Sequence, residues 1–187
     1  DSVVSNKYTF TMPAKNVDVE ATFKTAIEAF WGPDADNLTN SGTFAEFQHA
    51  FITDSTTRYV KINKDFTVNN TMYITREVIF DLAGHNITFL DRAFTCSVGG
   101  ELTITDSADT DGIMTFNYSG ESIFVLGGVL NIRGGKFITY NDDILIQVHN
   151  GSVTISGGEI SVKNSAVRVA SGTLNITGGV ITSASES

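Results

Sequence analysis

The chain has 187 residues, enough for one ordinary domain with a small appendage, and a net charge of −9. Its 12 basic residues make no positive footprint for nucleic acid or an anionic membrane surface, and no apolar run approaches the roughly 20 residues needed to cross a bilayer. With 18% charged residues, 17 Gly, only 2 Pro and abundant Thr, Ser, Asn, Val and Ile, the composition is that of strands and turns. Cys96 is the one cysteine, which excludes an intramolecular disulfide. The alternating run Phe94-Thr-Cys-Ser-Val98 around it predicts an interior thiol.

In chain order, residues 7–23 predict a hairpin: Tyr8-Thr-Phe-Thr-Met12 alternates, Pro13-Ala-Lys-Asn16 turns, and Val17-Asp-Val-Glu-Ala-Thr-Phe23 alternates again. This stretch resembles the closing segment of internalin-type B repeats, small β-rich modules of Gram-positive surface proteins. The resemblance implies that residues 1–24 are the remnant of such a repeat and that further domains of the same chain lie on both sides. Residues 25–40 are expected to be a linker, broken by Trp31-Gly-Pro33 and Asp34-Ala-Asp-Asn37.

A helix is expected at 43–51. Thr43-Phe-Ala-Glu46 is a capping box, and Phe44, Phe47 and Phe51 fall on one face, which must lie on something apolar. From Arg58 onward apolar and polar residues alternate between glycine turns. Registering the copies on Leu82, Ile104, Ile132, Ile155 and Ile176 gives intervals of 22, 28, 23 and 21 residues. A repeat of that length, built of three short strands per copy, specifies a parallel β-helix over residues 41–187, with the phenylalanine helix capping its first layer. The expected stack has about six coils and an uncovered last coil containing Leu174, Ile176 and Ile181. Coil length and turns resemble the right-handed parallel β-helix of the pectate-lyase-like superfamily, and Val78-Ile-Phe-Asp-Leu-Ala-Gly-His-Asn-Ile-Thr88 is similar to a coil near the start of many bacterial members. The resemblance implies an all-β, right-handed solenoid and leaves activity open, because the superfamily hosts lyases, hydrolases and adhesins.

Three clusters are candidate sites. Asp106, Asp109 and Asp111, in the surplus of the 28-residue interval, are a candidate calcium site or a solvated turn; the spacing is not that of an EF-hand, and no other cofactor is indicated. Equating Val125, Val148 and Val169 places Glu121, Asp142 and Asp143 at one corner, with Lys163 on the next coil. Paired carboxylates there would suit glycoside hydrolysis, or form an ordinary acidic turn. If Phe137 and Thr139 point inward, Ile138 and Tyr140 point out; with Met114 and Phe116 on the preceding coil they would make an apolar ligand-binding patch, or one covered by the N-terminal segment.

His49, His85 and His149 share no corner in this register, and no nucleophile elbow or phosphate loop is present in the sequence. The composition and the surface-repeat resemblance point to a secreted or cell-surface module without catalysis, one that binds a glycan or surface protein or serves as a spacer. A polysaccharide-active enzyme is the alternative.

Overall fold

A computed structural model of the chain describes residues 26–141 and 144–183. The expected hairpin at 7–23 and the remainder of the repeat remnant at 1–24 lie outside the described residues.

The alternating runs form strands and wind as a parallel β-helix. Two strands, β1 (Ala29–Gly32) and β2 (Asn40–Gly42), and the helix α1 (Phe44–Thr53) precede the first coil. Coil one is β3 (Tyr59–Ile62), β4 (Phe66–Val68) and β5 (Met72–Ile74), and coil two is β6 (Glu77–Asp81), β7 (Ile87–Phe89) and β8 (Phe94–Ser97). Coil three is β9 (Glu101–Thr105), β10 (Ile113–Phe116) and β11 (Ile123–Leu126), and coil four is β12 (Val129–Ile132), β13 (Lys136–Thr139) and β14 (Ile144–His149). Coil five is β15 (Gly151–Ile155), β16 (Glu159–Val162) and β17 (Ser165–Val169), and β18 (Gly172–Ile176) and β19 (Val180–Ser183) begin a sixth.

Like strands of successive coils pair in parallel, giving three sheets. The first runs β18-β15-β12-β9-β6-β3 and continues antiparallel through β1 and β2; the second runs β19-β16-β13-β10-β7-β4, and the third β17-β14-β11-β8-β5. Inward side chains stack on their equivalents. Val78, Leu102, Leu130, Val153 and Leu174 form one column, and Met72, Phe94, Ile123, Ile146 and Val167 another. The Phe116 ring stacks between those of Phe89 and Phe137, at 5.5 and 6.3 Å. The second glycine of each pair at the corner between the first two sheets, Gly135, Gly158 and Gly179, has φ of 81–84°, a backbone that L side chains rarely adopt.

The register from Ile104 to Ile176 is the one read from the repeats. One coil earlier it differs: Phe80, not Leu82, pairs with Ile104, because Leu82 has already entered the corner, where it is buried. Residues 25–40, expected as a linker, contain β1. That strand pairs with β3, and Trp31 lies 5.9 Å from Phe47, so the segment belongs to the cap.

The helix seals the first layer. Phe44, Phe47 and Phe51 are buried, with Phe44 against Phe66 at 5.2 Å and Phe80 at 5.9 Å. Its start carries the full capping box between Thr43 and Glu46. Its last turn has no basic residue of its own. Arg76, from the β5–β6 connection, donates to the carbonyls of Phe51 and Asp54, and its guanidinium lies 4.0 Å from the centre of the Phe51 ring. A cation there complements the negative end of the helix dipole.

Phe47→Ala should therefore lower unfolding stability by about 3–5 kcal/mol in urea titrations. Ile52→Ala on the exposed side of the same helix should fall within about 0.5 kcal/mol of the parent. Cys96 gives a pH test. The thiol is fully buried, and desolvation raises its pKa from 9.0 to about 12. The folded state keeps the proton after the unfolded chain would lose it, so this contribution is complete below pH 9 and disappears as pH rises toward 12. The stability of the parent should fall relative to Cys96→Val across that window, by up to about 1.4 kcal/mol per pH unit.

Candidate functional site

The corner between the second and third sheets holds the acidic position singled out above. The irregular segment before β11 presents Glu121 one coil beyond Arg92, and backbone bonds from Ala93 and Phe94 to the Ser122 carbonyl hold the two segments side by side. Arg92 Nη2 donates to Glu121 Oε2 at 3.1 Å, and Arg92 Nε donates to the Glu121 backbone carbonyl at 3.1 Å. The Arg92 guanidinium lies 5.2 Å from the centre of the Phe124 ring, whose edge meets His149 at 5.4 Å. Arg92 was not among the sequence candidates. The signal for it was the register itself, since Phe94 pairs with Ile123 and the residues two positions earlier on each coil are Arg92 and Glu121. Asp142 and Asp143, the other two acidic candidates, lie outside the described residues.

Beside this corner the third sheet turns one row of side chains outward: Tyr73, Thr95, Phe124, Gln147 and Arg168, one per coil. Tyr73 is 62% exposed, whereas Thr95 is 6% exposed and Gln147 is buried. Gln147 Nε2 donates to the carbonyls of Val148 and Arg168. Thr95 Oγ1 is buried and finds no hydrogen-bond partner among the described residues. Two aromatic side chains two coils apart, about 9.6 Å along the stack, thus flank a short side chain with an unused hydroxyl. Beyond Tyr73 the surface continues into a shallow apolar groove against α1, lined by Phe51, Ile52, Met72 and Asn70.

The apolar patch expected from Met114, Phe116, Ile138 and Tyr140 does not form. Met114 and Phe116 point inward and are buried; Ile138 is half-buried and Tyr140 is 64% exposed. Met114 pairs with Phe137 and Phe116 with Thr139, so Thr115 is the outward neighbour of Ile138. Side-chain parity in a strand reverses with a slip of one residue, and the variable loop ahead of β10 hid that parity.

The three aspartates of the long interval do not converge either. The Asp106 carboxylate accepts backbone N–H groups from Gly84 at 2.8 Å, Ala108 at 3.3 Å and Gly112. Asp111 faces Lys136 at 3.9 Å, Asp109 is exposed, and no group of three metal-ligating side chains occurs among the described residues. The neighbouring Asp81, fully buried, accepts N–H groups of Ala83 and Ser107 and the Tyr59 hydroxyl. Burial, and then the bond to Asp81, raise the Tyr59 pKa above its ordinary value. These carboxylates organise the corner by satisfying buried backbone donors, a role that calls for a lone Asp beside a turn rather than a ligand spacing.

Compared with known proteins, the chain matches no family model, no curated protein and no solved structure.

Asp106→Ala should cost about 2–4 kcal/mol in unfolding stability, because three N–H groups lose a charged acceptor. Calcium titrated into the parent should leave its melting temperature unchanged, which thermal unfolding with and without the ion will check.

Proposed function

We propose that the chain is a non-catalytic β-helix module that holds a glycan along the outward row of its third sheet. The observation that carries this reading is the sequence Tyr73, Thr95, Phe124 on three adjacent coils. Sugar rings offer apolar C–H faces that lie on aromatic side chains and hydroxyls that pair with short polar groups. A chain laid parallel to the stack axis would meet the Tyr73 ring on coil one and the Phe124 ring on coil three, with the short Thr95 side chain leaving room between them. Arg168, exposed at the far end of the same row, supplies a guanidinium donor. The repetitive register supports the reading too, since a solenoid presents equivalent positions at a constant step to a polymer that also repeats.

A cell-surface or secreted setting, a bacterial and Gram-positive source and kinship with the pectate-lyase-like superfamily belong to the same proposal. They rest on the resemblances at residues 7–23 and 78–88. The rival reading is a polysaccharide-active enzyme, and the Arg92–Glu121 pair is the observation that favours it, because it sets a cationic side chain beside the acidic corner. The pair also commits Glu121 to an anchored geometry, which fits ligand positioning as well as it fits chemistry.

Screening on a glycan array, together with reducing-sugar and unsaturated-product assays, separates the two. Retention of a glycan without product is expected, with Tyr73→Ala and Phe124→Ala each weakening it by about tenfold, the equivalent of roughly 1.4 kcal/mol. Release of product would replace the module with the enzyme, and binding indifferent to both substitutions would move the site off this face.

A further inference from the structure

We infer that the groove between α1 and the first coil is a subsite for an acetamido group, so that the glycan held along the third sheet is one that contains N-acetylated hexosamines. The inference rests on the glycan reading and gives its ligand a chemical class.

The groove opens where the outward row begins. It is lined by Phe51 and Ile52 of α1 and by Met72 and Tyr73 of β5, with Gln48 and Asn70 as its amide side chains. Its volume is about 110 Å³, below the roughly 150 Å³ of a cavity that admits benzene. It therefore takes a substituent and leaves a sugar ring outside. Tyr73, 62% exposed, belongs both to the groove and to the outward row, so a ring resting on its face carries a substituent to the groove mouth.

The two amides select the substituent. Asn70 Nδ2 donates to Gln48 Oε1 at 2.8 Å, and neither side chain makes another hydrogen bond among the described residues. A primary amide has two N–H donors and an acceptor oxygen, so the pair keeps Gln48 Nε2 as a donor and Asn70 Oδ1 as an acceptor. Reversing the pair, with Gln48 donating to Asn70, leaves one donor group and one acceptor just the same. Gln48 is only 9% exposed and lines the groove. An amide so buried, with its N–H groups unspent, calls for a partner in that space.

An acetamido group answers each feature at once. Its carbonyl accepts from one amide, its N–H donates to the other, and its methyl lies on Phe51 and Met72. Other common sugar substituents fall short. A carboxylate has no N–H for the free acceptor, an ammonium has no oxygen for the free donor, and a hydroxyl has no methyl for the apolar wall.

Calorimetric titration of the 187-residue chain with two tetrasaccharides tests the inference. Chitotetraose is the tetramer of N-acetylglucosamine, and cellotetraose is the same backbone with a hydroxyl in place of each acetamido group. Chitotetraose is expected to bind at least tenfold more tightly. Gln48→Met, which keeps the side-chain volume and removes its donors, and Asn70→Ala at an exposed position should each abolish that preference and leave the cellotetraose affinity unchanged. Tyr73→Ala should weaken both sugars. In nitrogen-correlated NMR spectra the Gln48 side-chain amide should shift with chitotetraose and stay in place with cellotetraose. Equal affinity for the two sugars, both weakened by Tyr73→Ala, would overturn the acetamide subsite and leave the glycan row standing. Binding of neither would overturn it as well, and glycans without acetamido groups, retained on the array and lost in Tyr73→Ala, would show that the row survives it. A preference that persists in Gln48→Met and Asn70→Ala, or a Gln48 amide unmoved by chitotetraose, would assign the groove to another occupant and overturn the inference.

Discussion

The structure depends on one repeated contact, the inward side chain of each coil resting on the side chain at the same position of the coil below. In a parallel stack that contact and the backbone ladder set the same register, so each reinforces the other. Val78, Leu102, Leu130, Val153 and Leu174 occupy one column because moving any of these strands by a single residue would turn its whole apolar set to solvent. Glycines with positive φ serve the same end, letting the corners turn in little space so that successive coils keep one perimeter.

A solenoid solves the burial problem for its middle and leaves it at its ends. At the first coil the solution is an aromatic lid. Three phenylalanines of α1 and Trp31 of β1 fill the opening, and Arg76 ties the helix terminus to the connection between the first two coils. The lid is thus anchored to the stack at both its start and its finish, since the Phe44 N–H also bonds the Glu28 carboxylate beside β1. The last described coil has no such lid among the described residues.

The fold was legible because its signal is redundant. Alternation, glycine pairs and near-constant intervals each report the same period, and the capping box with its phenylalanine stripe marks the helix independently. What escaped is local. Leu82 was taken for the partner of Ile104 because both are aliphatic residues before a turn, and only the ladder shows Phe80 in that place. Met114 and Phe116 were assigned outward because an interval of variable length precedes β10, and parity cannot be carried across a loop of unknown path. Arg92 and Glu121 are 29 residues apart, farther than any regular interval, so their meeting required the register of the irregular coil. Asp106 read as a ligand because a carboxylate looks the same in sequence whether it faces a cation or a ring of N–H groups.

That last point bears on the meaning of the acidity. Asp81 and Asp106, two of the acidic groups at the corner between the first two sheets, spend their oxygens on backbone donors, and Asp65 in coil one does the same for Asn86. Glu159 and Asp111 share Lys136 across neighbouring coils. The acidic residues described here therefore knit coil to coil, and their number is poor guidance to a binding site. The informative departures are positions where a polar or aromatic side chain lacks a structural task. On the outward row of the third sheet, Gln147 is satisfied by carbonyls of its own sheet, while Thr95 is buried with its hydroxyl unspent between two aromatic neighbours. A buried hydroxyl left without a partner lowers stability, and a fold this regular has simple ways to avoid it, such as the valine or isoleucine used at so many of its other strand positions. The two aromatic side chains on either side of it, Tyr73 and Phe124, are what set this face apart from the acidic corners.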